Sequence, residues 1–396
     1  MVLQDNTQLL EGCRQVLLEP FVHQVGGHSS MMKYDETTIC KPLVSQEQWF
    51  YEALPPQMKC FTPQYKGVVM VSVQKDSSGH LTFVASPQND KYNSIEVESM
   101  VTLKMNRRQT KIHCRNHSSA CRAILHKSKG PSKSSGKSFG MEFCICPEVS
   151  FRMEDANGKQ TEDNCFNPWS LHCHQTQLTR MSSECREKKI QRFLLLENVV
   201  SHFTYPCILD LKMGTRQHGD DASEEKKARQ MKKCAQSTSA TLGVRICGMQ
   251  VYQTDAAHFL CRNKYYGRKL SKEGFQQTLF QFLHNGERLR TDLLDPVLLL
   301  LQRLMSVIEQ QNSYRFYSSS LLIIYEGEDP TRENDRTSLP TNQNKSAMID
   351  VRMIDFAHTT YNTSKDNYTT YDGPDNGYLL GLQTLIGIFQ NLKAGE

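Results

Sequence analysis

No Cys-x-x-Cys pair occurs in this 396-residue chain, although it carries fourteen cysteines. Zinc sites usually draw their ligands from two such paired knuckles. The nearest approaches, Cys144/Cys146 and His172/Cys173/His174, fall short of that pattern. Free thiols are therefore expected, and a structural zinc is not. Long apolar runs are missing as well: the most apolar stretch, Val297–Leu301, is far shorter than the ~20 residues that cross a bilayer. Met1–Phe21 lacks a basic start followed by an apolar core, so no secretory signal is expected. A cytoplasmic or nuclear protein with reduced cysteines follows from that reading. No internal repeat is evident, and neither sign of charge dominates. The 47 Lys and Arg stand against 42 Asp and Glu, a net charge of +5, which is compatible with an anionic ligand but does not require one.

Hydrophobic residues at 38% and charged residues at 22% suit a globular protein with polar inserts. The length allows two or three ordinary domains or one large bilobal enzyme. Strands are predicted over Phe21–His28, Thr38–Leu43, Val68–Val73 and Leu81–Ala85, with Lys75–Gly79 as a hairpin turn between the last two. Gln46–Leu54 reads as a short helix that stops at Pro55-Pro56. Residues 86–165 are the least legible. Within them Lys127–Ser138 is a Lys/Ser/Gly tract, a flexible linker whose lysines are more simply solvated than a nuclear address. Further strands are predicted over Arg192–Val200, Cys207–Met213, Val244–Gln253 and Ala257–Leu260. A helix spans Ser223–Gln236, with Asp221 as N-cap and Glu224 completing a capping box. Residues 271–310 are helical, with Pro296 at the start of a second helix. Strands Ser320–Tyr325 and Ile349–Asp355 flank a polar insert, Glu326–Ala347, expected as an exposed loop. The last helix, Gly377–Leu392, turns Leu382, Leu385, Ile386 and Phe389 inward. The mixture is α+β.

Four constellations have chemical content. Gly26-Gly27 makes a small-residue turn, and Lys41 follows on the returning strand. Turn amides can cover phosphates and a strand lysine can reach them, although Gly-Gly is more often only a turn. Glu52, on the following helix, is a candidate partner for Lys41. In Pro206-Cys-Ile-Leu-Asp210-Leu-Lys212-Met-Gly214, strand alternation puts Asp210 and Lys212 on one face and the leucines on the other. The plainer alternative is a surface ion pair. Beyond them Arg216 precedes a basic helix on which Lys226, Arg229 and Lys233 share a face, with Lys227 beside them. Such a cluster suits a polyanion, although charge runs are usually only solvated. Last, Met353-Ile-Asp355-Phe-Ala-His358 ends an apolar strand in a carboxylate, a suitable place to hold magnesium against nucleotide phosphates.

Together these segments resemble the inositol polyphosphate kinase family. Its Pro-x-x-x-Asp-x-Lys-x-Gly motif is met by Pro206, Asp210, Lys212 and Gly214, and Ser319-Ser-Leu-Leu322 and Ile354-Asp-Phe356 are its companions. Leu196-Glu-Asn-Val199, Gly214-Thr-Arg-Gln-His-Gly219, Tyr265-Tyr-Gly267, Tyr314-Arg-Phe-Tyr-Ser318 and Pro20–His28 are similar to the inositol hexakisphosphate kinase branch. The likeness covers residues 18–85 and 164–396 and fails over roughly 86–163. It implies a two-lobed fold distantly like protein kinases, with ATP between a β-rich N-lobe over about 18–200, carrying a variable insert at 86–163, and a larger C-lobe over 201–396.

By that resemblance Glu197, Asn198 and Val199 form the hinge that receives adenine. Lys41 holds ATP phosphates, Asp210 contacts the ribose with a minor option as general base, and Asp355 binds Mg²⁺. Lys212 sits between the acceptor and the γ-phosphate. Arg216, Lys226, Lys227, Arg229, Lys233 and His358 cradle the substrate. The implied reaction puts a phosphate onto inositol hexakisphosphate. The alternatives are a kinase acting on ring hydroxyls of lower inositol phosphates and a non-catalytic inositol-phosphate-binding module. Nucleic acid is not expected as a partner, since few aromatics flank the linker.

Overall fold

The computed structural model describes residues 15–27, 29–75, 81–87, 149–155, 158–161, 163–183, 190–328, 348–361 and 371–395. Six antiparallel strands close into a barrel. They are β1 (Val16–Pro20), β2 (Met32–Asp35), β3 (Thr38–Pro42), β4 (Tyr65–Lys75), β5 (Leu81–Pro87) and β7 (Gln191–Glu197), in the order β1-β2-β3-β7-β4-β5. The β-branched run of β4 alternates in the expected way and sends Val69 and Val71 into the barrel core. Helix α1 (Ser45–Glu52) follows β3 and ends before Pro55-Pro56, as its sequence predicts.

A second, six-stranded sheet has the order β13-β12-β8-β9-β10-β6. It comprises β6 (Ser150–Met153), β8 (Pro206–Met213), β9 (Val244–Gln253), β10 (His258–Asn263), β12 (Ser320–Glu326) and β13 (Ile349–Ile354). Every pairing is antiparallel except β10 with β6. Strand β8 is buried almost throughout, as befits a central strand covered on both faces. Helices α6 (Lys272–Phe282), α7 (Leu294–Glu309) and α8 (Asn376–Ala394) pack their apolar residues into the same core, among them Phe275, Leu301, Leu385 and Phe389.

Several expectations are corrected. Phe21–Gly27 is a loop, and the strand lies upstream at β1. Phe21 and Val25 are buried as loop anchors, while Gln24 closes the loop through Nε2 to the Gly26 and Ser29 carbonyls and Oε1 from the Met31 amide. The apolar spacing therefore marked a folded-in loop. Lys41 returns from a separate turn between β2 and β3. Strand β7 stops at Glu197, where the Asn198 side chain accepts from the Val200 amide and turns the chain. Ser223, not Asp221, caps helix α3 (Glu224–Ala235), because its hydroxyl is placed to accept from the Lys226 amide. Among the elements that went unread are β2, β6, which joins the second sheet, and α2 (Pro168–Ser183). The inner side of α2 mixes Trp169, Cys173 and Met181 with buried His174 and Gln177, which blurs its periodicity. Lys127–Ser138, Cys144/Cys146, His28 and most of the 75–79 turn and the 326–347 insert lie outside the described residues.

A close contact sets the end of β8. Gly243 takes φ 66°, a left-handed conformation that favours glycine. Its carbonyl accepts from the Gly214 amide at 2.7 Å, and α8 passes over it at Gly381. A Cβ on Gly381 would stand 2.5 Å from the Gly243 oxygen and 2.8 Å from Met213 Cε. Gly381→Ala should therefore destabilise the protein by about 1–3 kcal/mol, the usual cost of overpacking. Gly387, on the same helix, has nothing within 4 Å of such a Cβ. Gly387→Ala should instead stabilise by about 0.5–1 kcal/mol through helix propensity. Thermal or urea melts of the two variants check the opposite signs.

Candidate active site

Strand register gathers the conspicuous motifs. Lys212 on β8 pairs with Ser320 on β12, and Ser320 pairs with Ile354 on β13. Three segments far apart in the sequence thus lie in one row across neighbouring strands. Asp355 leaves β13 with φ 64°, an uncommon conformation for a residue with a Cβ. Its Oδ1 accepts from Lys41 Nζ at 2.8 Å, and its Oδ2 is 3.8 Å from Lys212 Nζ. Lys41 also reaches Glu47 Oε1 at 3.1 Å. Glu47, fully buried in the first turn of α1, accepts the Phe356 amide on the same oxygen at 3.2 Å. The partner of Lys41 is therefore Glu47, not Glu52. Glu52, in the last turn of α1, takes Gln48 and Tyr65 at the surface instead. Phe50 stacks on Phe356 with ring centroids 4.0 Å apart, so α1 packs directly on the Asp-Phe segment.

Burial alone would push the Lys41 ammonium down, but the Asp355 and Glu47 carboxylates outweigh it and hold it above its ordinary value. Asp210 behaves in the opposite way. Burial, opposed by Lys212 and reinforced by Asp355, pushes its carboxyl up to about 6. It is 3% exposed, and its Oδ1 has no hydrogen-bond partner. Gly26 covers it so closely that a Cβ there would meet Asp210 Oδ2 at 1.8 Å.

At the end of β7, the Glu197 carboxylate takes the Gln64 amide at 3.0 Å and Arg352 at 3.3 Å, and Asn198 Nδ2 donates to the Glu36 carbonyl at 2.9 Å. These side chains brace the connection against the barrel, while Val199 packs on the core. A hollow of about 490 Å³ opens beside it, lined by Phe21, His23, Asn198, Val200, Phe203 and Tyr205 among others. Lys41, Asp210 and Asp355 are not part of that lining, so it is separate from the charged centre.

The predicted basic residues divide into two groups. Arg216 is committed to Asp220 at 2.5 Å and lies over the Tyr317 ring at 4.2 Å, and Lys227 is held by Glu224 at 2.8 Å. Among the described residues, no carboxylate lies within ion-pair distance of Lys226, Arg229 or Lys233. Three cations that the sequence reading missed join this second group. Arg245 on β9, and Lys264 and Arg268 at the short helix α5 (Lys264–Gly267), likewise have no carboxylate partner among the described residues. Burial, then Arg268, Arg245 and Arg229, hold Lys233 below its usual value; burial, then Arg268, does the same to Lys264. Asp210, Arg245, Lys212 and Arg268 all act electrostatically on Cys247, which ties the cluster to the Asp210–Lys212 strand. The available signal was the pair of basic residues four apart that flank Tyr265-Tyr266-Gly267. His358 lies beside the turn that leads to α3, its Cβ 4.0 Å from where a Cβ on Gly219 would stand.

The donor set suits a hard cation. Among the described residues no group of three His, Cys, Asp or Glu side chains could hold a metal. Asp355, with its carboxylate partly exposed, and the unpartnered Oδ1 of Asp210 fit magnesium, which takes one or two carboxylates together with phosphate oxygens.

Residues 193–390 match the model of the inositol polyphosphate kinase family. Inositol hexakisphosphate kinase 3 of Mus musculus is 56% identical over 385 residues, covering 96% of each chain. Its Homo sapiens counterpart is 53% identical over the whole of both chains. The chain belongs to the inositol polyphosphate kinase family. Among solved structures, the S. cerevisiae inositol phosphate multikinase in complex with ADP and Mn²⁺ is 28% identical, covers 51% of this chain and 84% of that one, and has a TM-score of 0.42.

The raised Asp210 carboxyl has a consequence for this kinase-family chain that stability measurements can read. Below about pH 4 the group is protonated in both folded and unfolded states. Between that pH and about 6 the folded state binds the extra proton, so stability falls as pH rises through this window and stays lower above it. Asp210→Asn should remove the slope. The ligand-free variant should match wild type near pH 4 and exceed it at pH 7 by about 1–3 kcal/mol, as read from denaturant midpoints across pH.

Proposed function

We propose that the chain transfers the terminal phosphoryl group of ATP to a phosphate of inositol hexakisphosphate, forming a diphosphoinositol pentakisphosphate. The observation that carries this reading is the group of cations without carboxylate partners (Arg229, Lys233, Arg245, Lys264 and Arg268) gathered about the strand that carries Lys212. Crowded like charges of this kind are satisfied only by a ligand with many negative groups. The names of the full-length relatives point to the same substrate.

Lys41 neutralises the nucleotide phosphates, fixed by Glu47 from behind. Lys212 stands between the donor and the acceptor, and its ammonium stabilises charge on the group in transit. Asp355 and Asp210 would hold Mg²⁺, which when bound supplies further charge neutralisation on the phosphates. The Glu197–Val199 segment receives the base. The cations without carboxylate partners and His358 hold the acceptor, while Arg216 and Lys227, engaged with Asp220 and Glu224, take a secondary part. A phosphate acceptor is largely ionised at neutral pH, so the reaction needs no general base.

Lys212→Ala and Asp355→Ala should each lower kcat by about a hundredfold or more while the proteins remain folded by circular dichroism. ATP consumption with purified inositol hexakisphosphate provides the assay. Near-normal rates in either variant would sink the assigned roles. Much faster turnover of lower inositol phosphates would assign a hydroxyl kinase instead.

A further inference from the structure

Lys264 is the one member of the cation group with aromatic rings on two sides. Its Nζ lies 4.9 Å from the Trp169 ring centroid and 5.7 Å from that of Tyr265. A carboxylate would also hold an ammonium in place, but it would cancel the charge and compete with an incoming phosphate. A ring face orients the ammonium and leaves its charge available.

Trp169 is itself fixed from several directions. Its backbone amide donates to Asn167 Oδ1 at 2.9 Å, and Asn167 Nδ2 donates to Gln250 on β9 at 3.2 Å. Its indole Nε1–H donates to the Gly26 carbonyl at 3.2 Å, which prevents the ring from turning. His172 lies against the ring at 5.3 Å and Tyr265 meets it edge-on at 6.0 Å. The residue is 6% exposed, so its ring is a preset wall of the site. Helix α2 carries it, and Ser170 on the same helix bonds the Phe21 carbonyl at 2.6 Å. The start of α2 is thereby pinned to the loop that covers Asp210.

We propose that Trp169 is a positioning residue for the acceptor: its ring holds the Lys264 ammonium, uncancelled, toward the phosphates of the bound inositol phosphate. The proposal rests on the reaction argued above, since it takes the Lys233–Lys264–Arg268 group as the acceptor site. It assigns Trp169 no contact with the reacting atoms.

The test compares Trp169→Leu, which removes the ring, with Trp169→Phe, which keeps an aromatic face, and combines the first with Lys264→Ala. Trp169→Leu should raise KM for inositol hexakisphosphate about five- to twentyfold, with kcat and KM for ATP within about threefold of wild type. Trp169→Phe should stay within about threefold throughout. In the Lys264→Ala background the leucine substitution should add less than about twofold, because the two residues act as one unit. The proposal is overturned if Trp169→Leu leaves the acceptor KM unchanged in a folded protein. It is equally overturned if the full effect persists without Lys264, or if the phenylalanine variant is as impaired as the leucine one. Should Trp169→Leu not fold, Trp169→Met, a larger apolar side chain without a ring face, carries the same test. Calorimetric titration of inositol hexakisphosphate separates the two claims. Wild-type binding without turnover refutes the reaction, while the variants' affinities still decide the role of Trp169. Absence of wild-type binding refutes both.

Discussion

The Asp355 carboxylate, set between the ammonium groups of Lys41 and Lys212, is the interaction on which the rest of the structure depends. Lys41 comes from a barrel strand, Lys212 from the centre of the second sheet, and Asp355 from the end of the strand two places away. Removing one partner would leave a largely buried charge uncompensated, an expense of several kcal/mol in typical proteins. Several neighbouring features serve to prevent that. The left-handed backbone at Asp355 aims the carboxylate, and Glu47 supplies a second counter-charge to Lys41 while accepting the Phe356 amide. The stack of Phe50 on Phe356 presses α1 into place. The barrel and the sheet are thus joined by charge where the chemistry takes place and by apolar packing behind it.

Next to this balanced centre lies an unbalanced one. Lys233 and Lys264 are held below their ordinary values by burial and by neighbouring arginines. The folded chain therefore bears a cost for keeping these cations together before any ligand arrives. A polyanion relieves it. On the proposed reaction, a ligand with few phosphates would leave part of the repulsion in place. Within the predicted basic set, acidic partners are found on Lys212, Arg216 and Lys227.

Much of this was legible in the sequence, for identifiable reasons. Asp210 and Lys212 stood out because an acid and a base are unusual on a strand otherwise apolar, and Asp355 because it ends such a strand. The α3 face was visible because its cations recur at helical spacing. What sequence spacing does not encode is contact between remote segments. The choice of Glu47 over Glu52 depends on which side of α1 meets Phe356, and both carboxylates are plausible from Lys41 alone. Lys264 and Arg268 come to the site on a four-residue helix after β10, too short to leave a periodic pattern. The loop at 21–27 mimicked a strand because Phe21 and Val25 are buried for loop closure, not for sheet pairing. Helix α2 was hidden because the side chains it buries are partly polar, among them Ser170, which donates to the remote Phe21 carbonyl.

The position of Asp210 bears on which chemistry the site favours. A general base for a hydroxyl acceptor must lie within hydrogen-bond reach of the proton it removes. Asp210 meets the pKa requirement, with burial pushing it up to about 6, but Gly26 lies directly against Oδ2. In this arrangement Oδ1 is left for a metal or a ribose, and the carboxylate is poorly placed to accept an acceptor's proton. A site whose strongest acid–base candidate is covered, and whose open groups are nearly all ammonium and guanidinium, is built to manage negative charge more than to move protons. The proposed transfer between two phosphates makes that demand, because both reactants arrive ionised and catalysis is positioning together with charge stabilisation.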